Sequence, residues 1–351
     1  MLRRGRVSLE DESGTQKKLA LELSNQLGNL PLALDQAGAF IEETPSSISE
    51  YLELYRQRKS KLLQRRGHQT DDHPSVEVTF ALAFTKIEEA NKTAGELLRL
   101  AAFCASEDIL EEIFIQHFFS HENYQEGFDR LKFAEALREA GKFSLIRRDP
   151  LRQSVDMHRL IQVIIRDTMK SEDQERWVAH SLEALNGAVY NFKFAAESIL
   201  YNTESEMSQL DAWLATERLL PHIQCCTQLA ESWTIKSPVI LRKFISLLDN
   251  AGRYMVERGR LIDAESLHQK SLALLEQQGD LRINGLELVS KLNELALVYF
   301  GRRKYVQAES LFRRALEIIK KYENDRDIAV ALNNLGLVLY KQGKHAAADP
   351  F

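Results

Sequence analysis

A histidine stands where a short extended run gives way to a helix in the segment SVDMHRLIQVIIRD, residues 154–167. The run ends at Met157 and His158, and apolar residues then recur at helical spacing. Histidine is the side chain that most easily changes charge near neutral pH. Two interpretations of His158 are open: a surface residue at a helix start, or a side chain aimed at a ligand held by another part of the molecule.

Other reactive residue types lack the spacing that their chemistry needs. His117 and His121 are four residues apart and could share a helix face as a metal pair, but no third ligand follows at a suitable distance, so two surface histidines are the favoured interpretation. Cys225 and Cys226 are adjacent, so their side chains diverge on a helix and core packing is favoured. Together with Cys104 they form neither a disulfide framework nor a metal-binding pattern. No GxSxG or HExxH motif supports hydrolase chemistry.

Nucleotide hydrolysis requires a phosphate-binding loop, and its motif GxxxxGK[ST] does not occur in the sequence. The stretches Gly141-Lys142-Phe143 and Gly343-Lys344-His345 lack both the leading glycine spacing and the hydroxyl residue. Without the backbone amides, the lysine and the Mg²⁺-binding hydroxyl of that loop, phosphates cannot be cradled or hydrolysed. We therefore expect no enzymatic activity, no catalytic residue, no metal and no cofactor in this chain itself.

The composition favours a cytoplasmic globular protein that binds neither nucleic acid nor membrane. The 351 residues suffice for two or three domains, with 44% hydrophobic and 28% charged residues. The net charge of −5 gives no sign of the basic surface that nucleic-acid-binding proteins carry. No apolar run approaches the roughly 18 residues of a membrane span, and the basic N-terminus is not followed by the apolar segment of a secretory signal.

The pattern predicts a mainly α-helical chain with one small β-hairpin. Apolar residues recur at spacings of three and four residues, as on one face of a helix. The seven prolines are expected where helices or strands begin or end. The segment GNLPLALDQAGAF places Pro31 in the first turn of a helix whose small residues allow close packing, and on its residues alone it is a corner between two helices. The hairpin is predicted from a strand at 143–148, a turn at Asp149-Pro150 and a strand at 153–157. Helices followed by such a hairpin are typical of a winged-helix domain.

Near the C-terminus the sequence repeats itself. The segments YMVERGRLIDAESLHQKSLALLE, VYFGRRKYVQAESLFRRALEIIK and LYKQGKHAAADPF align with spacings of 44 and 40 residues. Each unit reads as a helix, a tight turn near Gly259, Arg303 or Gly343, and a second helix. The residues expected to pack between these helices are Gly252, Ala264, Ala296, Tyr299, Ala308, Phe312, Gly336 and Ala348.

These units resemble the tetratricopeptide repeat in its long form, with Arg303 in place of the usual turn glycine. The resemblance implies a helical solenoid that binds a protein or peptide partner. The third unit stops as its second helix begins, and half a repeat supplies no polar cap. We therefore expect the chain to be part of a longer protein; the other interpretation is a degenerate last helix.

The order of LGNLPLAL, a winged-helix-like block ending in MHRLIQ, and tetratricopeptide repeats resembles bacterial NB-ARC-like STAND signalling NTPases, without their P-loop core. In that family the proline of GLPLA packs near the adenine, and the histidine of MHD contacts the β-phosphate of ADP. The resemblance assigns these roles to Pro31 and His158, and ADP or ATP with Mg²⁺ to the intact parent. Arg159 occupies the third position of the MHD motif, where the family has an aspartate.

The resemblance implies five parts. They are a remnant of the core linker with a small helical domain at 1–66, a linker at 67–75, a winged-helix-like domain at 76–170, a helical connector at 171–240 and repeats at 241–351. The function implied is the regulatory and protein-interaction portion of such an NTPase. The repeats sense a partner, and the winged helix acts as a nucleotide-dependent latch on the P-loop core in cis.

Two other hypotheses stay open. The chain could be a standalone tetratricopeptide adaptor, or a winged-helix regulator that binds DNA. Residues 76–170 carry 13 Lys and Arg against 16 Asp and Glu, which disfavours DNA because phosphate neutralisation supplies much of DNA affinity. The cluster Arg138, Lys142, Arg147, Arg148 and Arg152 could form a basic face or a solvated wing.

Overall fold

The structure is a computed structural model that describes residues 15–66, 74–120, 130–200, 209–232, 237–277, 285–322 and 325–348. These residues form a mainly α-helical fold with one small sheet, as the sequence predicts. The first ten helices are α1 Thr15–Gln26, α2 Pro31–Glu43, α3 Ile48–Arg66, α4 Pro74–Ala90, α5 Lys92–Ala101, α6 Glu111–Ser120, α7 Arg130–Lys142, α8 Arg159–Thr168, α9 Ser171–Leu200 and α10 Gln209–Ser232. The remaining six are α11 Pro238–Glu257, α12 Leu261–Gln277, α13 Gly285–Gly301, α14 Tyr305–Ile319, α15 Asp325–Lys341 and α16 His345–Ala348.

The chain divides into two compact units. The first comprises residues up to Ala184 together with Gln224–Leu229, and the second comprises Leu185–Ile223 and the chain from Ala230 onward. None of the helices in the described part of the chain combines the length and apolar character that crossing a bilayer requires.

In the first unit, α2 begins as the sequence predicts. Pro31 occupies its first turn, where the missing N–H leaves no helical bond unmade. The small residues Ala33, Ala37 and Ala39 are buried. Gln36 on the same helix accepts a hydrogen bond from the hydroxyl of Thr79 on α4 at 2.6 Å. The small side chains therefore let α2 pack closely against its neighbours.

The small sheet consists of β1 Ile109–Leu110, β2 Ile146–Asp149 and β3 Ser154–Met157, in the order β1-β3-β2. Both pairings are antiparallel, with Ile146 opposite Met157 and Ile109 opposite Val155. The hairpin is confirmed, but its first strand was predicted too early and β1 was missed. Residue Ser144 has a φ of +56°, which is incompatible with an extended strand from 143 onward.

In the second unit, helices α11 to α16 form the repeats. Each turn between paired helices contains a residue with positive φ at the predicted position: Gly259 at 70°, Arg303 at 60° and Gly343 at 77°. Glycine adopts this conformation without penalty, whereas a side chain at Arg303 does so at a cost. A core cluster built mainly from α13, α14 and α15 contains Phe312 and Leu335.

One expectation about proline is wrong. Pro221 lies inside α10 rather than at an element boundary. Proline removes one helical hydrogen bond and normally breaks or kinks a helix. Here Leu219 and Ile223 on either side are buried, so packing of the flanking turns outweighs the local preference.

Candidate functional site

His158 lies at the N-cap of α8, directly after β3. Its backbone is extended, with φ −60° and ψ 134°, and its Nδ1 accepts a hydrogen bond from the backbone N–H of Leu160 at 3.2 Å. This bond satisfies one of the amides that a helix leaves unpaired at its start. Because Nδ1 is the acceptor, Nε2 carries the proton in the neutral ring, an assignment inferred from this hydrogen bond. The exposed ring therefore keeps a donor for a ligand.

The ring of His158 borders a cleft in the first unit with a volume of about 1090 Å³. Four segments form its walls: α2 through Asp35, the turn before β1 through Ser106, the end of α7 with the turn that follows, and the hairpin through Asp156. Polar and apolar surface contribute about equally to the lining, which includes four arginines and four acidic residues. Charged side chains in such a cleft can orient a polar ligand.

Pro31 itself is exposed and is not among the described lining residues. Asp35, one helical turn further along α2, does line the cleft. Residues four apart lie on the same face of a helix. The structure therefore places the helix that begins at Pro31 and the helix start at His158 beside the same cleft.

Arg159, in the third position of the MHR sequence, also lines this cleft. Its Nε donates a hydrogen bond to the hydroxyl of Ser106 at 3.3 Å. The side chain therefore adds a cation next to His158.

The arginines of the hairpin are paired with acidic side chains. Arg148 donates two hydrogen bonds to Glu111, from Nε at 2.6 Å and from Nη2 at 3.1 Å. This bidentate contact raises the pKa of the Arg148 guanidinium above its ordinary value, against the opposing effect of burial. Arg147 pairs with Asp156 at 3.3 Å.

The other cations of the predicted basic cluster also pair with acidic side chains. Arg152 pairs with Asp108 at 2.9 Å, and Lys142 pairs with Glu139 at 2.8 Å. Arg138 reaches Glu139 at 3.4 Å. Five cations thus meet four carboxylates, since Arg138 and Lys142 share Glu139. This paired arrangement favours the solvated wing, the interpretation that disfavours DNA binding.

Of the other histidines and cysteines that the sequence singles out, His117, Cys104 and Cys226 are buried and Cys225 is half-buried. His117 is 3% exposed, and its ring centroid lies 5.6 Å from that of Trp177 and 5.1 Å from that of His180. His121 lies outside the described residues. Cys104 and Cys226 are buried, and burial raises the pKa of both thiols. Core packing is confirmed for Cys226, whereas the predicted surface position of His117 is wrong, because its ring packs against Trp177 and His180 in the core.

The predicted packing positions of the repeats lie where the helices meet. Five of them are buried: Gly252, Ala264, Ala296, Ala308 and Phe312. The half-buried positions are Tyr299, Gly336 and Ala348. The hydroxyl of Tyr299 accepts a hydrogen bond from Gln269 at 2.8 Å. The small residues allow the paired helices to approach closely, and the larger ones fill the space beside them.

Two polar features of the repeats were not predicted. A glutamate on the second helix of one unit accepts hydrogen bonds from a lysine in the turn of the next, in the pairs Glu265–Lys304 and Glu309–Lys344. The signal in the sequence was the repeated AES, at 264–266 and 308–310, together with a lysine before the following second helix. The second feature is a buried group around His268, described below.

Comparisons with known proteins agree with the repeat assignment. Residues 287–351 match the family model "Tetratricopeptide repeat". Residues 85–174, which include the sheet, α8 and His158, match the model "Domain of unknown function (DUF7779)". Each match covers less than half of the chain.

A curated relative from Hyaloscypha variabilis, named "Nucleotide-binding leucine-rich repeat (NLR)-like protein", is 28% identical over 284 residues. The match covers 78% of this chain and 25% of the relative, so the chain spans a quarter of that protein's length. The crystal structure of a STAND protein with a tetratricopeptide repeat sensor from Pyrococcus horikoshii shares 13% identity, covering 91% of this chain and 58% of that one. Its TM-score of 0.27 is too low to establish a common overall fold. What these comparisons establish is that the C-terminal part of the chain is a helical repeat region of the tetratricopeptide type.

Proposed function

We propose that this chain is the regulatory and protein-interaction portion of a STAND-type signalling NTPase. The repeats at 241–351 act as the sensor of a protein or peptide partner. The block at 76–170 acts as a latch whose position depends on the bound nucleotide. The P-loop core, with ADP or ATP and Mg²⁺, is supplied in cis by the longer protein, and the chain alone does not hydrolyse nucleotides.

One observation carries this proposal: the helix that begins within the GNLPLAL segment and the helix start at His158 border the same cleft. The N-terminal half of α2 contributes Asp35, and the start of α8 contributes His158. They are more than a hundred residues apart in sequence, so their meeting in one cleft is a consequence of the fold. In the family pattern both motifs contact one nucleotide.

The state of His158 supports the same role. Its Nδ1 is held by the backbone of Leu160, which fixes the ring and leaves Nε2–H as the donor. A fixed N–H donor at a helix start is suited to a phosphate oxygen, because the helix dipole and the unpaired amides favour negative charge there. Arg159 adds positive charge beside it. In the intact molecule we expect this pair to contact the β-phosphate of ADP.

The relative from Hyaloscypha variabilis adds support through its name, which describes a nucleotide-binding protein. A P-loop core in a protein of that length would lie in the three quarters outside the matched segment. The repeats complete the proposed switch. A partner that binds the open state more tightly than the closed state shifts the population toward the open state, and only that difference in affinity can do so.

The test is the rate at which the longer protein, with its P-loop core, releases a fluorescent ADP analogue. We expect His158→Asn to raise the ADP release rate at least about tenfold, since a charged hydrogen bond contributes about 1.5–3 kcal/mol. The asparagine preserves the helix cap. Leu151→Ser is the matched control, since Leu151 is 97% exposed at the tip of the hairpin.

An unchanged release rate in His158→Asn contradicts the sensor role and favours the standalone adaptor. The chain on its own should neither retain ADP nor hydrolyse ATP. Retention of the chain on DNA at moderate salt would instead favour the winged-helix regulator.

A further inference from the structure

A buried polar group lies between three helices of the repeats. It consists of Asp249 on α11, His268 on α12, and Lys291 and Glu294 on α13, and we call it the α11–α13 cluster. The side chains of His268 and Asp249 are 2% and 5% exposed, that of Lys291 is 8% exposed and that of Glu294 is 18% exposed. Charged side chains are rarely buried this far unless something compensates their loss of water.

The potential ligand atoms of this cluster converge. The Nδ1 atom of His268 lies 3.6 Å from Oε2 of Glu294 and 4.0 Å from Oδ1 of Asp249. All three atoms lie within 4.8 Å of one another. Ligand atoms around a tetrahedral zinc ion are about 3.3 Å apart. The two distances from Nδ1 of His268 exceed that spacing by about 0.3 and 0.7 Å, and the third separation exceeds it by at most about 1.5 Å, so zinc binding requires the two carboxylates to close in on the histidine.

The repeat itself shows that packing does not require this cluster. The spacing between the units aligns His268 with Phe312, and Glu294 with Asn334. At the next repeat boundary the histidine position is thus filled by an aromatic core residue that is 1% exposed. Lys291 aligns with Ala331 in the same way. Residues that break the packing pattern of a repeat and also lie close together in space are expected at functional sites.

Two atoms of the cluster have unmet hydrogen-bonding capacity. Nδ1 of His268 and Oε2 of Glu294 are buried without a hydrogen-bond partner among the described residues. The opposite edge of the His268 ring is held against Gly252, because a Cβ at that position would come within 2.7 Å of Nε2. The ring is therefore fixed with Nδ1 toward the two carboxylates. A buried polar atom without a partner calls for a ligand or another explanation.

Neighbouring groups orient the carboxylates. The hydroxyl of Ser271 donates to Oδ1 of Asp249 at 2.6 Å, and Nε of Arg253 donates to Oε1 of Glu294 at 3.0 Å. The arginine leaves the second oxygen of Glu294 for another contact. Such supporting hydrogen bonds are typical around the ligands of protein metal sites.

We propose that Asp249, His268 and Glu294 bind a divalent transition-metal ion of the zinc class, in competition with the ammonium group of Lys291. One imidazole and two carboxylates suit zinc, whereas Mg²⁺ and Ca²⁺ prefer oxygen ligands alone. The metal links α11, α12 and α13, and so joins one helical pair of the repeats to the next.

Lys291 is the competing cation. Its Nζ contacts a carboxylate oxygen of Asp249 and lies 3.6 Å from Oε2 of Glu294. A lysine side chain has four rotatable bonds and can move its charge away when a dication arrives. Removing that charge should therefore tighten metal binding, which is the opposite of what removing a ligand does.

The test is calorimetric titration of the full chain with Zn²⁺, followed by the same titration with Mg²⁺. We expect one Zn²⁺ per chain and no Mg²⁺. His268→Gln and Glu294→Gln should weaken Zn²⁺ binding more than about 100-fold, because even supporting residues contribute 10- to 100-fold. Lys291→Met should tighten it at least about tenfold. His345→Gln is the control for adventitious histidine binding, since His345 is exposed on α16.

Circular dichroism melts without metal show whether each variant folds. A folded variant that keeps the three ligands should also be stabilised by Zn²⁺. At a free Zn²⁺ concentration about 100 times Kd, its equilibrium constant for unfolding should fall about 100-fold. The proposal is overturned if the wild-type chain does not bind Zn²⁺, or if His268→Gln binds it as tightly as the wild type. It is also overturned if only Lys291→Met binds, because the lysine is then the permanent cation of the cluster.

Discussion

The carboxylate of Glu265 accepts hydrogen bonds from the ammonium group of Lys304 at 2.8 and 3.0 Å, which ties α12 to the turn between α13 and α14. The same relationship recurs one repeat later, where Glu309 accepts from Lys344 at 3.0 Å. Each pair thus joins the second helix of one unit to the turn of the next. In a solenoid, stability depends on such contacts between neighbouring units.

The first prediction concerns Glu265 and acid. Burial alone would raise the pKa of Glu265, but hydrogen bonds from Lys304 and Arg302 outweigh it and lower the pKa below its ordinary value. A lowered pKa in the folded state stabilises the fold above the unfolded-state value of about 4.3, and this stabilisation is lost as the pH falls further. Glu265→Gln should therefore cost about 1–2 kcal/mol at pH 7, and less below pH 4.

Urea unfolding at pH 7, 5 and 3.5 measures this difference. Glu276→Gln is the control, because Glu276 pairs with Arg314 while 38% exposed and should change stability by less than about 0.5 kcal/mol. A Glu265→Gln variant with the same deficit at every pH would show that the charge of Glu265 does not contribute.

The second prediction concerns Arg303, whose φ of 60° is in the left-handed region. Its side chain is exposed, whereas the equivalent turn residues are Gly259 and Gly343. Relief of the Cβ clash should outweigh the greater freedom of glycine in the unfolded chain, so Arg303→Gly should stabilise the fold by about 0.5–1 kcal/mol. Thermal melts of the two proteins test this, and a lower melting temperature in the variant would contradict it.

The third prediction concerns Gly252, which lies against the ring of His268. A Cβ at this position would come within 2.7 Å of Nε2. Gly252→Ala should therefore destabilise the fold by about 1–3 kcal/mol, because the ring has little room to move. Gly141→Ala is the control: a Cβ there meets nothing within 4 Å and should stabilise α7 by about 0.5–1 kcal/mol. Equal effects in chemical denaturation would refute the close approach.

The fourth prediction concerns the ion pair between Arg148 on β2 and Glu111 at the start of α6. Glu111 is 10% exposed on its side chain and accepts two hydrogen bonds from the guanidinium. Glu111→Gln keeps the shape but removes the charge, so it should cost about 1–3 kcal/mol. Glu112→Gln, at the adjacent position, is the comparison in urea unfolding. A deficit no larger than that of Glu112→Gln would mean that the wing is held by its apolar residues alone.

The repeats were the most predictable part of the fold. Their turns at Gly259, Arg303 and Gly343 and their packing residues follow from spacing that recurs along the sequence. The hairpin was also predicted, since β2 and β3 are local. Strand β1 was missed because Ile109 and Leu110 are extended only through pairing with β3, more than forty residues later. Two residues carry too little pattern to reveal such a contact.

For the site residues too, the features that depend on local sequence could be predicted, and those that depend on long-range contacts could not. The position of His158 at a helix start could be read from the sequence, because the boundary is local. That Asp35 borders the same cleft could not, since this depends on how α2 packs against α7 and the turn that follows it. The α11–α13 cluster was missed because Asp249, His268 and Glu294 come from three helices and form no motif. The signal in the sequence that could have revealed it was the repeat alignment, which sets His268 opposite Phe312 and Lys291 opposite Ala331.

The last prediction separates the two roles of His158 within the chain itself. As an N-cap, Nδ1 accepts from the backbone N–H of Leu160, and removal of such a cap costs about 1 kcal/mol. His158→Ala should therefore lower the free energy of unfolding by that amount, and His158→Asn, which restores an acceptor, should recover most of it. If the imidazole serves only as a cap, the asparagine variant should then behave as wild type in every assay. If it also contacts a nucleotide in the longer protein, His158→Asn should combine near-normal stability with fast ADP release. Measuring unfolding in urea beside ADP release for both variants decides between these outcomes, because stability reports the cap and release reports the ligand.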